Sequence, residues 1–122
     1  MRLYAAAGFN RISIVELLLR RGADPNVASD ENETPLQVAA YRGNAQVVQL
    51  LIAAGARVNT AETRDRFTAL AYAAMGGHSD VIRLLLDAGA DSSARTRDGR
   101  SAAQVASQFG HVEANSLLSP SR

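Results

Sequence analysis

Aliphatic residues recur along the chain in short blocks of one pattern. Val15-Glu16-Leu17-Leu18-Leu19, Val48-Gln49-Leu50-Leu51-Ile52 and Ile82-Arg83-Leu84-Leu85-Leu86 match one another, and a fourth block ends in Leu117-Leu118. Ile14, Val15, Leu17 and Leu18 fall at helical spacing, as do Val47, Val48, Leu50 and Leu51, then Val81, Ile82, Leu84 and Leu85. Each set builds one apolar face on an amphipathic helix. The blocks run into Gly22-Ala23-Asp24, Gly55-Ala56-Arg57 and Gly89-Ala90-Asp91, phrases 33 and 34 residues apart. A period of that size marks stacked repeats, not one rounded core.

A second, smaller helix precedes each block: Leu3-Tyr4-Ala5-Ala6-Ala7, Leu36-Gln37-Val38-Ala39-Ala40, Leu70-Ala71-Tyr72-Ala73-Ala74 and Ala103-Gln104-Val105-Ala106-Ser107. Thr34-Pro35 is a strong start signal, because Thr caps the first free N–H groups and Pro is tolerated in the first turn. Thr68 and Ser101 keep the capping role. Gly43, Gly77 and Gly110 are placed to end these helices in the left-handed conformation, and Asn10 is the next best residue for that role. Ser79 reads as the N-cap of the following helix, with Asp80 favourable in its first turn.

These phrases carry a family likeness. Thr34-Pro35-Leu36-Gln37-Val38-Ala39-Ala40, Gly77-His78, Gly110-His111 and Gly22-Ala23-Asp24-Pro25-Asn26 recur in register over essentially the whole chain. The chain resembles the ankyrin repeat family. The resemblance implies an all-α solenoid of stacked helix-turn-helix units joined by β-hairpin-like loops. It implies a single domain over 1–122, with repeats near 1–28, 29–61, 62–95 and 96–122. Tyr4, Gln37, Ala71 and Gln104 stand where the family places a loop-tying His. Ala71 cannot make that tie, so the third repeat is expected to be looser. The hairpin Gly survives only as Gly99, Asn32 replaces it once, and an extra residue near Glu62 to Arg66 predicts a distorted turn. Asn26 and Asn59 are expected to hydrogen-bond the turns they close.

Composition narrows the function. Hydrophobic residues make up 47% of the 122 residues but aromatics only 5%, as thin layers of Ala, Val and Leu require. All 13 basic residues are Arg, yet the net charge is +1, which disfavours a protein built mainly to grip nucleic acid. The absence of Cys excludes disulfides, thiolate zinc sites and thiol nucleophiles. His78 and His111 each follow a helix-ending Gly and read as packing or capping residues. His78-Ser79-Asp80 cannot form a triad, whose members converge from separate parts of a fold. Asp30, Glu31 and Glu33 lack the spacing of a calcium loop. No catalytic residue, metal, cofactor, small-molecule substrate or membrane insertion is expected, and the reading is non-enzymatic.

The family resemblance places binding on a concave surface made by hairpin tips and the ends of the first helices. Carried over to this chain, the helix-end positions are Phe9, Tyr41, Arg42, Met75, Gln108 and Phe109. The first hairpin offers Asp30, Glu31 and Glu33, the second Arg64, Asp65 and Phe67, and the third Arg95, Arg97 and Arg100. Of six aromatics only Tyr72 is expected to face the core. Phe9, Tyr41, Phe67 and Phe109 are expected to form a row of exposed rings. The hairpins grade from acidic to arginine-rich, which would orient a partner protein or peptide. The alternatives are a structural spacer within a larger repeat protein and a nucleic-acid reader using the third hairpin. A monomer, or part of a larger chain, in the cytoplasm or nucleus is expected. The polar Asn115 and Ser116, followed by Ser119-Pro120, suit a solvent-facing end. At the other end Arg2, Arg11, Ser13 and Arg20 leave a cap and a cut face equally open.

Overall fold

Four short helix pairs follow one another in the computed structural model, which describes residues 1–119. The helices are α1 (Leu3–Gly8), α2 (Ile12–Arg20), α3 (Pro35–Arg42), α4 (Ala45–Ala53), α5 (Ala69–Gly76), α6 (Ser79–Asp87), α7 (Ala102–Gln108) and α8 (Val112–Leu118). The first helices α1, α3, α5 and α7 pack in order as one layer, and α2, α4, α6 and α8 form the layer behind them. The protein is an all-α repeat solenoid. Among the described residues the hairpins pair their strands only through a single bridge, Arg95 with Ser101.

The first layer is thin because its contact residues are alanines. Ala6, Ala7, Ala39, Ala40, Ala73, Ala74 and Ala106 are all fully buried, so neighbouring backbones approach closely. The second layer supplies the bulk with Val15, Val47, Val48, Leu51, Val81, Ile82 and Leu85. The caps form where the sequence places them. Thr34 and Ser101 make full capping boxes with Gln37 and Gln104, and Thr68 accepts from the Ala71 N–H. Asn10 and Asn32 adopt positive φ, at 57° and 65°.

The turn inside each pair is tight for two reasons. Gly43 and Gly77 sit at φ of 74° and 71°, where a side chain is strained. Each is also covered by a histidine or its ring neighbours from the next unit: a Cβ on Gly43 would lie 2.5 Å from the His78 ring, and one on Gly77 2.5 Å from His111. The histidines are held there by hydrogen bonds back to the preceding repeat. His78 Nε2–H donates to the Tyr41 carbonyl at 2.8 Å, and His111 Nε2–H to that of Met75 at 3.0 Å. Asn44 does the same for Ala7 at 2.8 Å.

Two expectations need correction here. His78, not Ser79, occupies the N-cap of α6, and its side chain makes no capping bond; Ser79 is the first helical residue. The two-residue turn after α5 is too short to place Ser79 outside the helix. The third repeat also keeps its loop tie despite Ala71. Arg97 reaches from the next hairpin, its Nη2 donating to the Thr63 carbonyl at 2.9 Å and its backbone N–H to Asp65 at 2.8 Å. In the second repeat Gln37 Nε2 makes the corresponding tie, to the Thr60 carbonyl at 2.9 Å. Pro120 lies outside the described residues.

Candidate functional site

The three hairpins are organised by one side chain each, at a shared register. Ser29 Oγ accepts from the Glu31 and Glu33 N–H groups, and Thr96 Oγ1 accepts from that of Arg100. In the second hairpin the carboxylate of Glu62 replaces a hydroxyl. It is buried and accepts from the N–H groups of Arg64, Asp65 and Phe67. The longer reach of a carboxylate suits the extra residue. The loop closes from Glu62 to Phe67, one residue wider than Ser29 to Glu33, and Arg66 takes a φ of 59°. The distortion expected there is therefore a wider turn held from inside. Asn26 and Asn59 tie successive loops at the other end of the repeat, bonding the carbonyls of Gly55 and Gly89.

The residue just before each first-helix cap also shares a register: Glu33, Phe67 and Arg100. These three do not line up as separate contacts. With Tyr4 and Tyr72 they build a continuous floor. Glu33 accepts from Tyr4 Oη at 2.6 Å and from Tyr72 Oη at 3.0 Å, so one carboxylate joins three repeats. Tyr72 packs on Phe67 with centroids 5.2 Å apart, and the Arg100 guanidinium lies 5.8 Å over the Phe67 ring. Burial, followed by the Glu33 bond and its charge, pushes the Tyr4 phenol up to about 12. The same causes raise Tyr72 further. Both phenols stay protonated at neutral pH and keep donating.

This floor corrects one assignment and refines another. Phe67 is only 6% exposed, because the wider loop turns its ring onto Tyr72 and under Arg100; it is not an exposed groove aromatic. Tyr72 faces the core in part, packing against the buried cluster that includes Phe67. It is half-buried on the hairpin side, between Phe67 and the edge of Tyr41, whose centroid is 6.0 Å away at 70°. Register carried that expectation, since Tyr72 shares the position of the buried Val38 and Val105, one step past the loop-tying place. Glu62 was equally readable, standing in register with Ser29 and Thr96.

Above the floor is a rim. Phe9, Tyr41 and Phe109 are 63%, 44% and 48% exposed at the ends of α1, α3 and α7. Arg42 and Gln108 are exposed beside them and Met75 is half-buried. Asp30, Glu31, Arg64 and Asp65 are exposed at the tips, with Glu31 and Arg64 paired at 3.4 Å. An exposed pair of this kind adds little stability. The third-hairpin arginines are engaged within the chain. Arg95 donates to the Gly99 carbonyl at 2.8 Å, Arg97 bridges hairpins, and Arg100 bonds Asp98 at 3.0 Å and Gln108. Bonds from Thr96 and then Arg100 hold the Asp98 carboxyl below the usual range.

The surface is a shallow trough with no enclosed chamber. Depressions of about 90 and about 280 Å³ flank the Tyr72–Phe67 contact. Among the described residues no group of three His, Asp or Glu side chains converges as a metal site, and no helix is long and apolar enough to cross a membrane. The family model described as ankyrin repeats (3 copies) matches residues 3–96 and 61–121. No curated protein matches the chain.

Proposed function

Because the chain belongs to the ankyrin repeat family, whose repeats are generally protein–protein interaction modules, we propose that it binds a partner protein or peptide, without catalysis, along the trough. The observation that carries this reading is the rim of Phe9, Tyr41 and Phe109 above a bonded floor. Exposed aromatic rings provide large contact area at small entropic cost, and interface hot spots are enriched in Tyr, Trp and Arg. Tyr41 is already held edge-on by Tyr72, so less ordering is needed on binding. The contact set is then the rim rings, Arg42, Met75 and Gln108, with Asp30, Glu31, Arg64 and Asp65 at the tips. Glu33, Phe67, Arg95, Arg97 and Arg100 act mainly by holding that surface in shape. With those arginines bonded to neighbouring hairpin groups, nucleic-acid binding lacks a free basic patch to support it.

The test is a peptide-display library panned on the domain, with the variant Phe9→Ala/Tyr41→Ala/Phe109→Ala as comparison. The substitutions are at exposed positions, so each changes stability by no more than ~0.5 kcal/mol and helical content is unchanged. Affinity for selected peptides falls at least ~10-fold, as expected when a central anchor worth more than ~1.4 kcal/mol is lost. Peptides that bind the triple variant as tightly as the parent remove the trough from consideration.

A further inference from the structure

Charge changes sign along the trough. The first hairpin carries three carboxylates over residues 30–33 and no cation. The second carries two carboxylates and two arginines over 62–66, and the third three arginines against one carboxylate over 95–100. Hydrogen bonding fixes several of these groups without neutralising them. Glu33 accepts from the phenols of Tyr4 and Tyr72, which stay protonated. Arg97 donates to the Thr63 carbonyl at 2.9 Å and to that of Arg64. Arg95 donates to the Gly99 carbonyl and to the Gln104 side-chain oxygen. All of these partners are uncharged. Along the trough, among the described residues, the ion pairs are Glu31 with Arg64 and Asp98 with Arg100, so Glu33, Arg95 and Arg97 remain uncompensated. A charge held by neutral dipoles keeps its field, and its side chain is already ordered before a partner arrives.

These fixed charges open onto the trough on opposite sides of the Tyr72–Phe67 contact. Glu33 lines the smaller depression beside Tyr72, where Glu31, Glu62 and Asp65 face a single cation, Arg64. Arg97 lines the larger depression beside Phe67, where Asp98 and Arg100 pair with each other and Asp65 forms the wall shared with its neighbour. Adjacent packed helices lie ~8–10 Å apart, so the first and third hairpins, two repeats apart, are separated by ~16–20 Å. An extended chain rises about 3.3 Å per residue and covers that distance in about five or six residues.

We propose that the trough takes an extended peptide segment of ordered charge, with a Lys or Arg side chain over the first hairpin and an Asp or Glu over the third, about five or six residues away. The occupant follows from charge complementarity: the opposite order would set like charges against Glu33 at one end and Arg95 and Arg97 at the other. Apolar side chains between the two charges meet Tyr41 above the floor. The proposal rests on the trough being the binding surface and adds the chemistry and placement of what binds there.

The probes are peptides recovered by display selection on the domain, and the domain variants reverse charge at exposed positions: Asp30→Lys/Glu31→Lys in the first hairpin and Arg95→Glu in the third. The recovered peptides are enriched in a basic and an acidic residue at the stated separation. Replacing the basic residue by Glu weakens binding to the parent domain at least ~10-fold, and the Asp30→Lys/Glu31→Lys variant reverses that preference; replacing the acidic residue by Lys gives the same reversal with Arg95→Glu. Independently of any variant, binding to the parent weakens as salt rises, and a peptide with both charged residues changed to Gln loses that dependence. Peptides without the charge order, or charge effects that are the same in parent and variant domains, overturn the proposal. If such peptides still lose affinity for Phe9→Ala/Tyr41→Ala/Phe109→Ala, binding in the trough stands and only the charge order falls; peptides indifferent to that triple variant remove both.

Discussion

Phe67→Ala lowers unfolding stability by ~3–5 kcal/mol in a urea titration followed by circular dichroism, the range for emptying a buried aromatic site. The ring comes from a hairpin, where deletion would ordinarily be mild, but this one is a structural member. It packs on Tyr72 and lies under Arg100, and its N–H is one of three held by Glu62. Removing it leaves Tyr72 without a neighbour on one side and opens the floor between the second and third hairpins. Tyr72 also donates to Glu33, so the loss extends toward Tyr4 and the first repeat. A shift below ~1 kcal/mol would mean that the ring contributes as a surface group, contrary to the floor described above.

Leu51→Ala acts in the other layer and costs ~2–5 kcal/mol. Leu51 is fully buried in α4, a helix packed between α2 and α6. Its backbone carbonyl accepts the Ala56 N–H that closes the helix, a bond the substitution keeps, so the loss comes from the emptied side-chain site. Stability in a repeat array is close to a sum of repeat and neighbour terms. The cavity therefore weakens coupling between the first two repeats most, and amides of α1 and α2 lose protection before those of α5 and α6. Uniform loss across all eight helices would show that the array unfolds as one unit.

Most of the fold was legible in the sequence because repetition multiplies weak signals. Thr34 alone is an ordinary cap candidate; Thr34, Thr68 and Ser101 in register are a rule, and the structure follows it. Asn10 and Asn32 were readable for the same reason, since glycine at the matching places sets the required backbone. What escaped was the direction of individual side chains. Glu33, Phe67 and Arg100 were read as three surface contacts because they sit in hairpins. Their orientation depends on Tyr4 and Tyr72, which lie 29 and 39 residues from Glu33, and no local pattern records that convergence. Charge alone did not show that the arginines of the third hairpin are engaged within the chain. A guanidinium has five donors, and here several of them bond carbonyl and side-chain oxygens of neighbouring segments before any partner arrives. The extra residue near Glu62 was found by counting, whereas the buried carboxylate that accommodates it became clear only from its three N–H partners.

The role of the trough is tested most directly by amide exchange of the domain with and without a saturating peptide obtained by display selection. Slowed exchange in the last turns of α3 and α5 and in residues 62–67, with α4 and α6 unchanged, is the predicted result. Protection confined to α4 and α6 would put the partner on the opposite layer and contradict the account.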